Sequence, residues 1–170
     1  MSSYIVVEGT LERFILEQVL PEEVCAQSTF VVGHGYTPTL SKVRSLLVSS
    51  DRPVSVIVET ETTNQARISE KEDFIRQLLR QLSSPEHFHV ILAIPDMEVV
   101  FFQDRSLLET LVGRSVSDEQ WETGQTHPKE VLQKIWQTMD LQKALKTRLT
   151  SPVIQQLRET DLIQQIIRST

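Results

Sequence analysis

Carboxylates follow three short apolar runs in this chain. Glu8 follows Tyr4-Ile5-Val6-Val7. Glu59 and Glu61 follow Val54-Ser55-Val56-Ile57-Val58. Asp96 and Glu98 follow His89-Val90-Ile91-Leu92-Ala93-Ile94 and Pro95. Hard carboxylate oxygens suit Mg²⁺, which takes one or two of them and keeps several waters. A cation held in that way polarises a phosphate and activates water. Positions 59 and 61 face the same way if the strand continues through them. On spacing alone, solvated loop acids and helix caps are the commoner explanation of such residues.

The remaining candidates are weaker. Gly33-His34-Gly35-Tyr36-Thr37 precedes a helix, and Gly33 and Gly35 could present backbone N–H groups to a phosphate. A plain turn is the commoner outcome for paired glycines. His34 reads as an exposed loop residue. His87 and His89 have no cysteine or third histidine near them to complete a metal set. Cys25 has no partner and reads as structural. Trp121 and Trp136 read as packing residues. There is no Walker loop, dinucleotide fingerprint, nucleophile elbow or zinc spacing.

The elements that must position the acids alternate in type. The β-branched and aromatic runs 4–7, 29–32, 54–58 and 89–94 read as strands, 4–7 as a buried one and 54–58 as one covered on both faces. Leu11, Phe14, Ile15 and Val19 recur at helical spacing, and Pro21 ends that helix. Thr37-Pro38 predicts an N-cap with proline in the first turn. Ser69-Glu70-Lys71-Glu72 predicts a capping box for a helix presenting Phe74, Ile75, Leu78, Leu79 and Leu82. Strands separated by helices of this size imply right-handed crossovers and a parallel sheet. In such a sheet, ligands bind beyond the carboxyl ends of the strands.

Residues 99–102 (Val-Val-Phe-Phe) fit either a strand or a buried helical turn. Helical patterns dominate afterwards. One runs through Val131, Leu132, Ile135, Trp136 and Met139. Another opens at Ser151-Pro152 and continues through Ile154, Leu157, Ile163, Ile166 and Ile167. The expectation is one domain over 1–170, a three-layer α/β/α arrangement. A central, mainly parallel sheet of four to five strands lies in 1–104, and a helical extension in 105–170 packs on it.

With 170 residues, 39% hydrophobic and 24% charged, the composition is that of a folded domain, not a disordered or membrane-spanning chain. The net charge of −6 disfavours broad nucleic-acid binding, because phosphate contacts dominate that affinity. It disfavours a cation-dependent enzyme less, since metal-holding acids add to the negative total. A single cysteine and no basic segment ahead of the first apolar run suggest a reducing cytoplasm.

The run Ile5-Val6-Val7-Glu8-Gly9-Thr10-Leu11-Glu12-Arg13-Phe14 resembles the opening of TOPRIM domains, an apolar strand ending in Glu-Gly. Val56-Ile57-Val58-Glu59-Thr60-Glu61 sits where those domains carry a strand ending in Asp-x-Asp. The stretch from Ile94 to Asp104 is similar to one in TOPRIM-like prokaryotic proteins related to the OLD nucleases, and the helical tail fits that subgroup. The resemblance covers nearly the whole chain. It implies general acid/base work or metal binding for Glu8, metal ligation by Glu59 and Glu61, and auxiliary roles for Glu98 and Asp104. It also implies Mg²⁺ or Mn²⁺ as cofactor and nucleic acid as the substrate of a nuclease. The acidic pair here is Glu-x-Glu. The extra methylene moves each carboxylate outward, which Mg²⁺, with its strict octahedral geometry, tolerates poorly and Mn²⁺ tolerates better. That departure motivates the alternative expectation, a catalytically degraded domain serving as a protein-interaction or regulatory module.

Overall fold

A computed structural model describes residues 2–170. Four strands form the sheet: β1 (Ser3–Val7), β2 (Ser28–Val32), β3 (Val54–Glu59) and β4 (Phe88–Ala93). Their order is β2-β1-β3-β4, and every pairing is parallel. The candidate fifth strand is a 3-10 segment, Met97–Phe102.

Alternation along the strands builds three layers. Val6, Val54, Val56, Val58 and Val90 point to one face. There they meet Leu40, Val43 and Leu47 of α3 (Tyr36–Ser49) and Ile75 and Leu79 of α4 (Gln65–Arg80). Ile5, Val7, Ile57, Ile91 and Ala93 point to the other face. That face is covered by α1 (Thr10–Val19), α5 (Arg105–Val112) and helices from the C-terminal third. Among the latter are α7 (Pro128–Trp136), α8 (Leu141–Lys146), α9 (Ser151–Arg158) and α10 (Asp161–Ser169). Two short helices complete the chain, α2 (Glu22–Gln27) and α6 (Asp118–Gly124). Among the described residues, no helix is long and apolar enough to cross a membrane.

Several local boundaries differ from the sequence pattern. Helix α3 begins at Tyr36 with Gly35 as its N-cap, so Thr37 and Pro38 lie inside the first turn. Gly35 holds φ 113°, a left-handed conformation open to glycine, and takes the cap that threonine chemistry suggested. Helix α4 begins one turn before the expected capping box. The Asn64 side chain accepts from the Arg67 N–H, and Ser69 lies in the helix interior. Phe74 is exposed on that helix. Met139 lies beyond α7 and is exposed, because Gln137 turns left-handed after Trp136. The single helix expected from Ser151 is two, α9 and α10, broken at Glu159-Thr160.

Gly33 shows why β2 and α3 can join so tightly. A Cβ built there would lie 1.8 Å from Thr39 Oγ1 and 2.5 Å from the Thr39 Cα. Thr39 is fully buried, and its hydroxyl donates to the Gly35 carbonyl at 2.6 Å. Neither the side chain nor the backbone of Thr39 can give way cheaply. Gly33→Ala is expected to destabilise the chain by about 1–3 kcal/mol, the usual range for overpacking. Urea unfolding measures it, and an unchanged midpoint would show that α3 shifts freely.

Candidate metal centre

Parallel pairing puts the carboxyl ends of all four strands at one edge. Because β3 is flanked by β1 and β4, the loops leaving these three strands converge. The Glu8 Oε2 accepts the Glu59 N–H at 2.9 Å, tying the end of β1 to that of β3. The Thr60 N–H donates to the Ala93 carbonyl and the Glu61 N–H to the Pro95 carbonyl, tying the loops after β3 and β4. The Glu59 Oε2 accepts the Met97 N–H at 2.8 Å and so holds the start of the 3-10 segment.

Glu59, Asp96 and Glu98 each offer a carboxylate oxygen within 4.8 Å of the others. Glu98 is 0% exposed, and neither of its oxygens has a hydrogen-bond donor; Asp96 Oδ1 is likewise buried without one. Buried acceptors without donors are rare and costly. The 3-10 segment holds Glu98 there because Met97, Val100, Phe101 and Phe102 are all buried around it. Glu12, in the first turn of α1, is also buried. Among the described residues, one cationic group pairs with Glu98: the Lys129 Nζ lies 3.7 Å from Glu98 Oε1.

Burial of so many carboxyls shifts their titration. Burial pushes Glu59 up to about 9, helped by the neighbouring Glu12 and by the charge of Glu98. Burial and then the neighbouring Asp96 push Glu98 up to about 8, against the pull of Lys129. Asp96 is raised by burial, against hydrogen bonding to Glu98. Burial also raises Glu8, opposed by the Glu59 N–H and by Lys71. Burial alone would lower the Lys129 ammonium, but the charges of Glu98, Glu59, Glu12 and Asp96 outweigh it and raise it.

Two of the triad acids, Glu59 and Asp96, line a cleft of about 450 Å³, while Glu98 is fully buried and outside its lining. Glu59, Glu61 and Asp96 line one side of it. Thr126, His127 and Lys129, at the start of α7, line the other. Three carboxylates within reach of one another, with the Glu98 oxygens and Asp96 Oδ1 lacking donors, form a group that could hold a metal ion.

The sequence-derived acids are thus distributed unequally. Glu8 and Glu59 are joined directly. Glu98 belongs with Glu59 and Asp96. Glu61 does not share the orientation of Glu59, because β3 ends at Glu59 and Glu61 turns to φ 58°. It is exposed on the cleft wall. Asp104 accepts from the Leu107 N–H as the N-cap of α5 and lines a separate groove with Gln156 and Asp161. The expected phosphate turn has little to offer, since the Gly33 N–H donates to the Val7 carbonyl and the Gly35 N–H to the Glu8 carbonyl.

Sequence reasoning counted Asp96 among the strand-end carboxylates without naming it a ligand, and assigned no role to Glu12, Lys71 or Lys129. Glu12 carried a signal: with Ile15, Leu16 and Val19 it forms the i, i+3, i+4, i+7 buried stripe of α1. Lys71, whose ammonium donates to the Glu59 carbonyl at 2.8 Å and lies over the Tyr36 ring, carried none. Comparisons with protein-family models, with curated proteins and with solved structures each returned no match. The chemistry of the cleft itself must therefore carry the functional reading.

Proposed function

We propose that the chain is a divergent TOPRIM-like phosphodiester enzyme, a nuclease dependent on Mg²⁺ or Mn²⁺ held by Glu59, Asp96 and Glu98. The observation that carries the reading is Glu98, a fully buried carboxyl with two unpartnered oxygens beside two further acids. The resemblance of the Glu8-Gly9 and Glu59-x-Glu61 segments to TOPRIM sequences supplies the reaction class. The cation, when bound, neutralises charge on a phosphoryl group and acidifies water.

The chain's own groups divide the remaining work. Glu8, half-buried and raised in pKa, is suited to accept and return a proton beside Glu59. Its bond to the Glu59 N–H fixes its position relative to the triad. His127 and Lys129, across the cleft, face the side where a phosphate would lie.

Calorimetric titration with Mn²⁺, followed by cleavage of single- and double-stranded oligonucleotides, tests this. The unsubstituted chain is expected to bind Mn²⁺ and cleave. Glu59→Gln is expected to weaken binding at least about tenfold and to lower cleavage by two orders of magnitude or so, as loss of a metal ligand does. No binding at millimolar Mn²⁺ removes the reading.

A second reading has its own observation. The Lys129 ammonium already supplies a positive charge to the cluster. An internal cation of this kind suits a domain that has given up chemistry and acts as a protein-interaction or regulatory module. In that case Glu8→Gln and Glu59→Gln leave the cellular phenotype unchanged.

A further inference from the structure

We infer that Lys129 is a built-in counter-ion that must leave the acidic triad for a divalent cation to enter, and so sets the affinity of the site. The inference rests on the proposed cation site. Four features carry it. Glu98 is fully buried, and the Lys129 Nζ, at 3.7 Å, is the cation paired with it. That distance exceeds a hydrogen bond, so the ammonium balances charge without satisfying either carboxylate oxygen. A cation bound directly to those oxygens does both. The Lys129 side chain is 38% exposed on the cleft wall, so its flexible stem has a path to solvent. Finally, Lys129 follows Pro128 in the first turn of α7, whose other members pack on the 3-10 segment. The ammonium can therefore swing without moving the backbone that carries it.

Two like-charged groups cannot share one cluster of three carboxylates without strong repulsion at this distance. Removing the lysine charge should therefore tighten cation binding. Keeping the charge on a longer, forked group that donates to carboxylates bidentately should weaken it.

The experiment is calorimetric titration of the full chain with Mg²⁺ and with Mn²⁺ at pH 8, for the unsubstituted protein, Lys129→Met and Lys129→Arg, with circular dichroism as the check on folding. Lys129→Met is expected to bind at least about tenfold more tightly, and Lys129→Arg equally or less tightly than the parent. Binding by the parent with no gain, or a loss, in Lys129→Met overturns the inference and leaves the cation site standing. Absence of binding in all three overturns the cation site and the inference with it. A measurement on the unsubstituted chain covers failure of the variants to fold: saturating Mg²⁺ must shift the Lys129 side-chain nitrogen resonance. An unmoved resonance under saturating Mg²⁺ overturns the inference by itself.

Discussion

At pH 8, with divalent cations chelated, Glu98→Gln is expected to be more stable than the unsubstituted chain by about 2–4 kcal/mol, and at pH 5 the two should nearly coincide. The reason is linkage. Glu98 and Glu59 titrate in the folded chain near 8 and 9, above the 4.5 of an unburied glutamate. Between pH 4.5 and those values the folded chain binds more protons than the unfolded one. Its stability is then complete below about pH 4.5 and falls as pH rises toward 8–9, by up to about 1.4 kcal/mol per pH unit for each group. Glutamine needs no proton to be neutral, so the variant loses the share of this slope that belongs to Glu98. Its amide N–H₂ also gives the unpartnered Asp96 Oδ1 a donor.

Added Mg²⁺ should reverse the order. A ligand that binds only the folded chain stabilises it by about 2.7 kcal/mol at one hundred times its dissociation constant. The parent should gain this at pH 8, and Glu98→Gln should gain little. Urea unfolding at pH 5, 6.5 and 8, with EDTA and with Mg²⁺, measures all of it. A parent chain whose stability is level from pH 5 to 8 would contradict the assigned burial energetics of the triad.

Phe101→Ala is expected to cost about 3–5 kcal/mol, the range for removing a buried aromatic ring. For a chain of this length that lowers the melting temperature by roughly 10 °C. Phe101 is fully buried in the 3-10 segment that also carries Glu98. Its neighbour Phe102 stacks on Trp121 at 6.2 Å and closes on Gly124, where a Cβ would meet the ring at 2.0 Å. The segment is therefore held by aromatic packing, and a cavity under it should let Glu98 drift from Glu59. Loss of cation-induced stabilisation should accompany the loss of stability. Leu111→Ala in α5 is the control, since Leu111 is buried in the same core but lies on a different element from the segment that carries Glu98. It should lower stability and keep the response to Mg²⁺. An equal response in the two variants would show that the packing of Phe101 does not position Glu98.

The strands and their order of appearance were readable because apolar runs of this length have few other uses. Residues 4–7, 29–32, 54–58 and 89–93 all lie in strands, and their separation by helices required the parallel arrangement that the sheet has. Helix starts were read less well. Asn64 and Gly35 outcompeted the serine and threonine signals nearby, since a cap is chosen by where the chain leaves the sheet as well as by side-chain chemistry.

The sequence by itself determined that carboxylates would stand at the ends of three parallel strands, since strand ends and acids are both local features. Only the tertiary structure decided which acids share a cluster. Glu61 left it because one left-handed residue ends the strand geometry, and Asp104 caps a helix. Asp96 joined it through a turn after β4, Glu12 through the rotation of α1, and Lys129 from a helix far along the chain. Electrostatic partnership depends on distances of a few ångströms, and those are set by packing between elements remote in sequence, which no local pattern encodes.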